Sequence, residues 1–241
     1  MAITDRGGVC VFHGDHRQAL TAQIGEQLKE VKPGSPTKTS SASIIGPSGS
    51  ADPVLVSTAH GLQSGKENNL TNVPQTTIAT VAVTDEKGCV TGVTLAEAVL
   101  DPITDLAVLE PKDSSVLEER IDSLRLGAPA SPHNFAGGDN PYTIHNPFTG
   151  GRFSSNLTAK ASDSPADKGS FAMHNPGGVS FGASGSGVTL GNSDVLAGVL
   201  RAKEEGSSNG NLHATDLSSQ RNWQSLERLF GKLGRHIDAY A

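Results

Sequence analysis

The feature that most limits what this chain can become is a succession of short runs rich in Val, Ile and Thr, each closed by turn residues. "SASIIGP", "PVLVSTA", "TIATVAVTD", "CVTGVTLAEAVL" and "LAVLEP" are separated by "SGSAD", "DEKG" and "DPITD". Apolar, β-branched runs between clusters of Gly, Pro, Ser and Asp read as strands joined by tight turns. After a break around "LEERIDSLRLGAPASP" a second set follows: "PYTIHNP", "FSSNLTAKA", "GSFAMHN", "SGVTL", "VLAGVLRA" and "NLHATD". The expectation is an all-β protein in two lobes. The 28 glycines and 13 prolines, beside only 18% charged residues, fit many turns rather than a charged disordered chain.

Two segments depart from the β pattern. In "DHRQALTAQIGEQLKEVKPG", Leu20, Ile24, Leu28 and Val31 recur at helical spacing, with Asp15 as a cap and Pro33-Gly34 as a stop. This segment is expected to be a helical arm, packed on a core or engaging a partner. In "LSSQRNWQSLERLFGKLG", Trp223, Leu226, Phe230 and Leu233 share one face and Gly234 follows as a stop. The expected divisions are an arm over 1–37, a first β lobe over 38–118, a second over 119–215 and a terminal helix over 216–241.

Several functional classes are set aside at this stage. The formal charge is −6 and Lys and Arg form no basic run, so nucleic acid is not an expected partner. No window approaches the roughly 18 apolar residues of a membrane span, and no Sec signal peptide heads the chain, so no membrane partner is expected. These observations imply the cytoplasm, or export by a route without such a signal. Cys10 and Cys89 fit no zinc or redox spacing and read as two thiols rather than a bridge. "HGDH" offers only His13 and His16, too few for a metal site, and no cofactor is expected. The sequons at Asn69 and Asn156 carry little weight without a signal peptide.

Three residues stand where chemistry would need them. His60 ends the apolar run "VLVSTAH" and precedes Gly61, which puts an imidazole at a strand end. Asp105 directly precedes the run "LAVL", where a carboxylate is costly unless hydrogen-bonded. Ser184 lies in "SFGASGSGV", and the glycines beside it permit a tight bend and consecutive N–H groups pointing into one space. The loop has neither the Lys nor the following helix of a phosphate-binding loop, and apolar strands follow it too closely for a linker. Singly, each has a bland alternative: a structural His, a turn-capping Asp, a flexible loop. Together, a serine needs a base to take its proton, and the base needs a carboxylate to fix its tautomer.

In this order the segments resemble the chymotrypsin-like serine proteases. "VLVSTAHGL" is similar to the strand-ending T-A-A-H segment, "DPITDLAVLEP" to the D-I/L-A-V/L-L segment, and "GASGSGV" to G-D/N-S-G-G/S-P-V/L. "YTIHNPFTGGRFS" more distantly resembles a stretch of the high-temperature-requirement proteases, and "VLAGVLRA" the strand lining the specificity pocket. The resemblance covers roughly residues 38 to 230 of the chain. It implies two six-stranded antiparallel β-barrels with a C-terminal helix, a polypeptide substrate held in the cleft between barrels, and a serine endopeptidase working through an acyl-enzyme. His60, Asp105 and Ser184 would be the triad, and the N–H groups of Gly182 and Ser184 the oxyanion hole. The rivals are a catalytically silent protein-binding module on the same fold, and an esterase using the same triad.

The chain departs from that pattern at several positions. Gly61 stands where many animal members have Cys, so that disulfide is not expected. Gly187 stands where Pro is common. Ala183 replaces the acidic or amide residue before the nucleophile, which in trypsin-like zymogens pairs with a freshly cut N-terminus. Activity is therefore expected without N-terminal cleavage, or with gating by other means. At the expected pocket base stands Gly178, which argues against a preference for Arg or Lys. Arg201, Lys203 and His213 would form the opposite wall and favour an acidic side chain if they face the pocket. If they face solvent, a medium apolar residue is the default.

Overall fold

The computed structural model describes residues 8–17, 20, 39–46, 52–63, 75–84, 90–118, 124–127, 141–145, 157–161, 169–173, 179, 182–190, 193–203 and 212–241. Six strands, β1 (Gly8–His13), β2 (Thr39–Ile45), β3 (Val54–Ser57), β4 (Gln75–Thr84), β5 (Val90–Asp101) and β6 (Leu106–Pro111), close into a barrel in the order β1-β2-β3-β6-β5-β4. Successive side chains of a strand point to opposite faces, and the barrel uses both. Val9, Val11, Ala42, Ile44, Leu55, Ala107 and Leu109 fill its interior. Their neighbours Ile45, Val54, Val56, Leu106 and Val108 point outward and are buried by the rest of the chain. This two-sided burial explains why "VLVS" and "LAVL" are continuous apolar runs rather than alternating ones.

The remaining strands are β7 (Arg125–Leu126), β8 (Pro141–His145), β9 (Leu157–Ala161), β10 (Ser170–Met173), β11 (Gly187–Leu190), β12 (Val195–Lys203) and β13 (Leu212–Asp216). They form a seven-stranded sheet in the order β11-β8-β9-β10-β13-β12-β7, with a further pairing of β11 to β12. This corrects the expected pair of six-stranded antiparallel barrels: only the first half is a closed six-stranded barrel. The second is a seven-stranded mixed sheet, because β7 pairs parallel to β12. The added strand is held by the Arg125 N–H on the Asp194 carbonyl and by the Arg125 guanidinium on the Asp194 carboxylate.

The expected N-terminal helical arm is corrected as well. Gly8–His13 is a barrel strand between β2 and β4, with Val9 and Val11 facing in and Cys10 and Phe12 facing out. Leu20 packs on that outer face, and its N–H meets the His16 carbonyl as in a helical turn. The expected helix beyond it lies outside the described residues. Among those residues the single substantial helix is Gln220–Lys232, and it is no free arm. Its Trp223, Leu226, Leu229 and Phe230 are buried against outward residues of the barrel and of β12.

The helix is also tied to the barrel by a polar cluster. The Asp101 carboxylate accepts hydrogen bonds from Ser225 Oγ (2.5 Å), Arg228 Nη2 (3.0 Å) and the Ile103 N–H (3.0 Å), and Thr104 Oγ1 lies 2.8 Å from Ser225 Oγ. Burial alone would raise the Asp101 carboxyl, but these donors together outweigh it and hold it below the ordinary carboxylate value. A depressed native pKa stabilises the fold above the unfolded value of about 3.9, and that stability is lost as pH falls through the native pKa. Asp101→Asn is expected to lower stability near neutral pH by about 1–3 kcal/mol. Urea midpoints of wild type and variant should draw together below about 3.9 and converge only once the pH has fallen through the depressed native pKa, where both carry a neutral side chain.

Candidate active site

Strand register brings the first two residues together. In the β3–β6 pair Ser57 lies opposite Ala107, so the turn after β3 runs beside the turn before β6. His60 occupies the first turn and Asp105 the second. Asp105 has a φ of 56°, a left-handed backbone that short polar side chains tolerate better than most. That turn buries the carboxylate, and the residue is 8% exposed. Asp105 Oδ1 accepts the His60 backbone N–H at 2.9 Å. The imidazole Nδ1 lies 2.8 Å from Oδ2 and 3.1 Å from Oδ1. A third donor comes from the other half of the molecule, Arg201 Nε at 3.3 Å from Oδ2. Nδ1 facing a carboxylate carries the proton, which leaves Nε2 of the neutral ring as the acceptor.

Ser184 sits between two left-handed glycines, Gly182 (φ 93°) and Gly185 (φ 92°). The loop is clasped from outside by β2 of the barrel. The Ser41 N–H donates to the Ser184 carbonyl (2.7 Å), and Ser41 Oγ donates to the Gly182 carbonyl (2.8 Å). Ser41 is held in turn by Ser57 Oγ on its own carbonyl at 2.6 Å. From inside, the Gly185 N–H donates to the Leu200 carbonyl and the Ser186 N–H to the Ala183 carbonyl. Ala183 itself is 2% exposed, in an apolar cluster with Tyr142, Ile144, Phe171, Val188 and Leu200. Among the described residues the N–H groups of Gly182 and Ser184 have no acceptor. Ser184 Oγ donates to the Arg201 carbonyl at 2.9 Å, and no hydrogen bond links it to His60.

His60, Asp105, Ser184 and Arg201 are thus joined through shared hydrogen-bond partners. Lys203 lies on β12 opposite Leu212, and His213 lies half-buried on β13 opposite Ala172 and Ala202. Gly178, Cys89, Asn69 and Asn156 are outside the described residues. Sequence reasoning missed the clasp made by Ser41 and Ser57. The signal for it was present in the serines alternating with apolar residues in "SSASII", although only Ser41 of them bonds through its hydroxyl, and the Ser40 and Ser43 hydroxyls have no partner among the described residues.

No family model matches this chain, and no curated protein does. Solved structures do resemble it. A thermostable serine protease, AL20, from an extremophilic microorganism superposes with a TM-score of 0.58 at 15% identity, over 93% of this chain and 98% of that one. The HtrA-type protease AlgW with a tripeptide gives 0.55 at 16%, over 97% of this chain and 62% of that one. An inactivated protease paralogue of the scabies mite gives 0.53 at 15%, over 92% and 96%. This chain has the fold of those serine proteases.

The tightest element of the loop is Gly185. A Cβ there would lie 1.8 Å from the Ser41 carbonyl oxygen and 2.5 Å from Ser57 Oγ, at a φ that side chains rarely adopt. Gly185→Ala is expected to destabilise the protein by about 3 kcal/mol or more, measured by urea unfolding. Gly231→Ala, whose added Cβ meets nothing within 4 Å, should be near neutral in the same assay.

Proposed function

We propose that the chain is a serine endopeptidase in which Ser184 is the nucleophile, His60 the general base and Asp105 the residue that orients the base. The observation that carries this reading is the His60–Asp105 pair: a buried carboxylate grips Nδ1 and the backbone N–H of a histidine whose side chain is 47% exposed. A purely structural histidine needs no such presentation of its second nitrogen. The N–H groups of Gly182 and Ser184, which have no acceptor among the described residues, support an oxyanion hole beside it.

In the proposed reaction Ser184 Oγ leaves the Arg201 carbonyl and turns to the imidazole. The exchanged hydrogen bond is worth about 1 kcal/mol, so the resting rotamer slows attack by a factor of about five. His60 Nε2 takes the hydroxyl proton as Oγ bonds to the peptide carbonyl carbon, and the carbonyl oxygen takes the negative charge against the two N–H groups. The imidazolium, held by Asp105, gives its proton to the departing amine, leaving an acyl-serine. Water then attacks the ester with the same proton transfers and frees Ser184. Ala183 has no charge to offer a new N-terminus, so the loop is proposed to hold its shape by apolar burial and by the Ser41 clasp, without proteolytic activation.

One observation favours a second reading, a protein-binding module without turnover: Ser184 Oγ is committed to the Arg201 carbonyl. A fluorophosphonate probe separates the two. Wild type is expected to label and Ser184→Ala not to, while Asp105→Asn should cut the labelling rate on the order of 10⁴-fold. An unlabelled wild type would sink the enzymatic reading. Turnover of casein then distinguishes a peptidase from an esterase.

A further inference from the structure

Arg201 is placed unlike its neighbours on β12. The register against β13 shifts between Leu200 and Ala202, so Arg201 is the extra residue of a β-bulge. Such bulges re-aim a side chain and release backbone groups from the ladder. Both consequences are visible. The Arg201 carbonyl takes Ser184 Oγ, and its side chain crosses to the barrel and reaches Asp105.

The contact with Asp105 uses only Nε, at 3.3 Å. The guanidinium carries five N–H donors, four of them on Nη1 and Nη2. Among the described residues neither terminal nitrogen has a hydrogen-bond acceptor, and the side chain is 38% exposed. A half-exposed guanidinium, fixed on one edge and open on the other, one residue contact from the nucleophile, is a receptor for a carboxylate. The planar fork accepts one in bidentate geometry.

We propose that Arg201 selects polypeptides carrying an acidic side chain next to the bond that Ser184 attacks. The inference rests on the active site proposed above. The substrate carboxylate binds the Nη1/Nη2 edge while Asp105 keeps Nε. The charges then alternate along one row: substrate carboxylate, Arg201, Asp105, His60. With a neutral substrate, Arg201 and the imidazolium formed during attack would share a single carboxylate, an arrangement that disfavours the charged ring. An acidic side chain therefore helps both binding and the chemical step.

The test uses a peptide pair, N-acetyl-Ala-Ala-Glu-Ala-Ala-amide and the same peptide with Gln for Glu, each bearing a fluorophore. Binding is read by fluorescence polarisation on the inert Ser184→Ala protein, so it does not depend on turnover. The Glu peptide is expected to bind at least about tenfold tighter than the Gln peptide. In Ser184→Ala/Arg201→Gln the ratio should fall to near one, and in Ser184→Ala/Arg201→Lys it should be partly retained. A ratio within about twofold in the Arg201 protein overturns the proposal, as does a preference that survives Arg201→Gln in protein with native circular dichroism. Labelling of wild type by the fluorophosphonate tests the nucleophile separately: a labelled enzyme without the Glu preference refutes only the role of Arg201. An unlabelled protein that keeps the preference refutes turnover and leaves Arg201 a selector of acidic peptides.

Discussion

The site depends on one buried carboxylate. Asp105 receives the His60 N–H and Nδ1 from the barrel and Arg201 Nε from the second sheet, so it orients the histidine and joins the two halves. A buried charge persists only when its partners satisfy it, and removing one partner leaves the full desolvation cost of the other. The other end of the same turn works in the same way. Asp101, four residues earlier, gathers Ser225 and Arg228 from the long helix and the N–H of Ile103. A five-residue turn, "DPITD", thus anchors the helix with its first residue and the imidazole with its last. Strand pairing explains why this turn meets His60: β3 and β6 are neighbours, and their connecting turns leave the barrel at the same rim.

The second constraint is steric. Along β2 the barrel-facing residues are Ala42 and Ile44, while Ser41 and Ser43 face the second sheet. Opposite them stand Gly185 and Gly187: a Cβ on Gly185 would strike the Ser41 carbonyl, and one on Gly187 would come within 2.3 Å of Ser43 Oγ. Two strands with a period of two therefore face each other, serine against glycine, and the backbones approach closely enough for Ser41 to bond the loop on both sides of Ala183. The glycines in this stretch serve that approach. Gly182 serves a different need, a left-handed bend that turns its own N–H and that of Ser184 away from the sheet ladder.

How much of this was legible in the sequence follows from the range of each interaction. His60, Asp105 and Ser184 are visible because each breaks a local rule: an imidazole after an apolar run, a carboxylate before one, a serine between glycines. The apolar face of the helix is visible because its period is local. Strand β1 was misread as part of a helical arm. Its six residues, flanked by "RG" and "GDH", are outweighed by the longer helical pattern that follows, and only pairing with β2 and β4 declares them a strand. The two residues of β7 carry no pattern at all, and their parallel pairing goes with long-range bonds of Arg125 to Asp194 that the local sequence does not announce. Arg201 looked like a pocket wall or a solvent-facing charge. Its contact with Asp105 follows from a bulge, which shifts the alternation by one residue and has no signature in composition.

Ala183 shows what such a fold demands of a loop that lacks an internal charge pair. Apolar burial is non-directional and holds the alanine in place without fixing the orientation of the peptide planes around it. Orientation has to come from directional bonds, and here they come both from Ser41 on the neighbouring barrel strand, itself held by Ser57, and from the Gly185 and Ser186 N–H groups bonding within the second half. The geometry of the Ser184 loop is therefore set in part across the boundary between the two halves. The same coupling runs through Arg201, which touches Ser184 with its carbonyl and Asp105 with its side chain. Ser184, His60 and Asp105 are thus held by contacts that cross the boundary twice, so their arrangement exists only while the barrel and the second sheet are packed together.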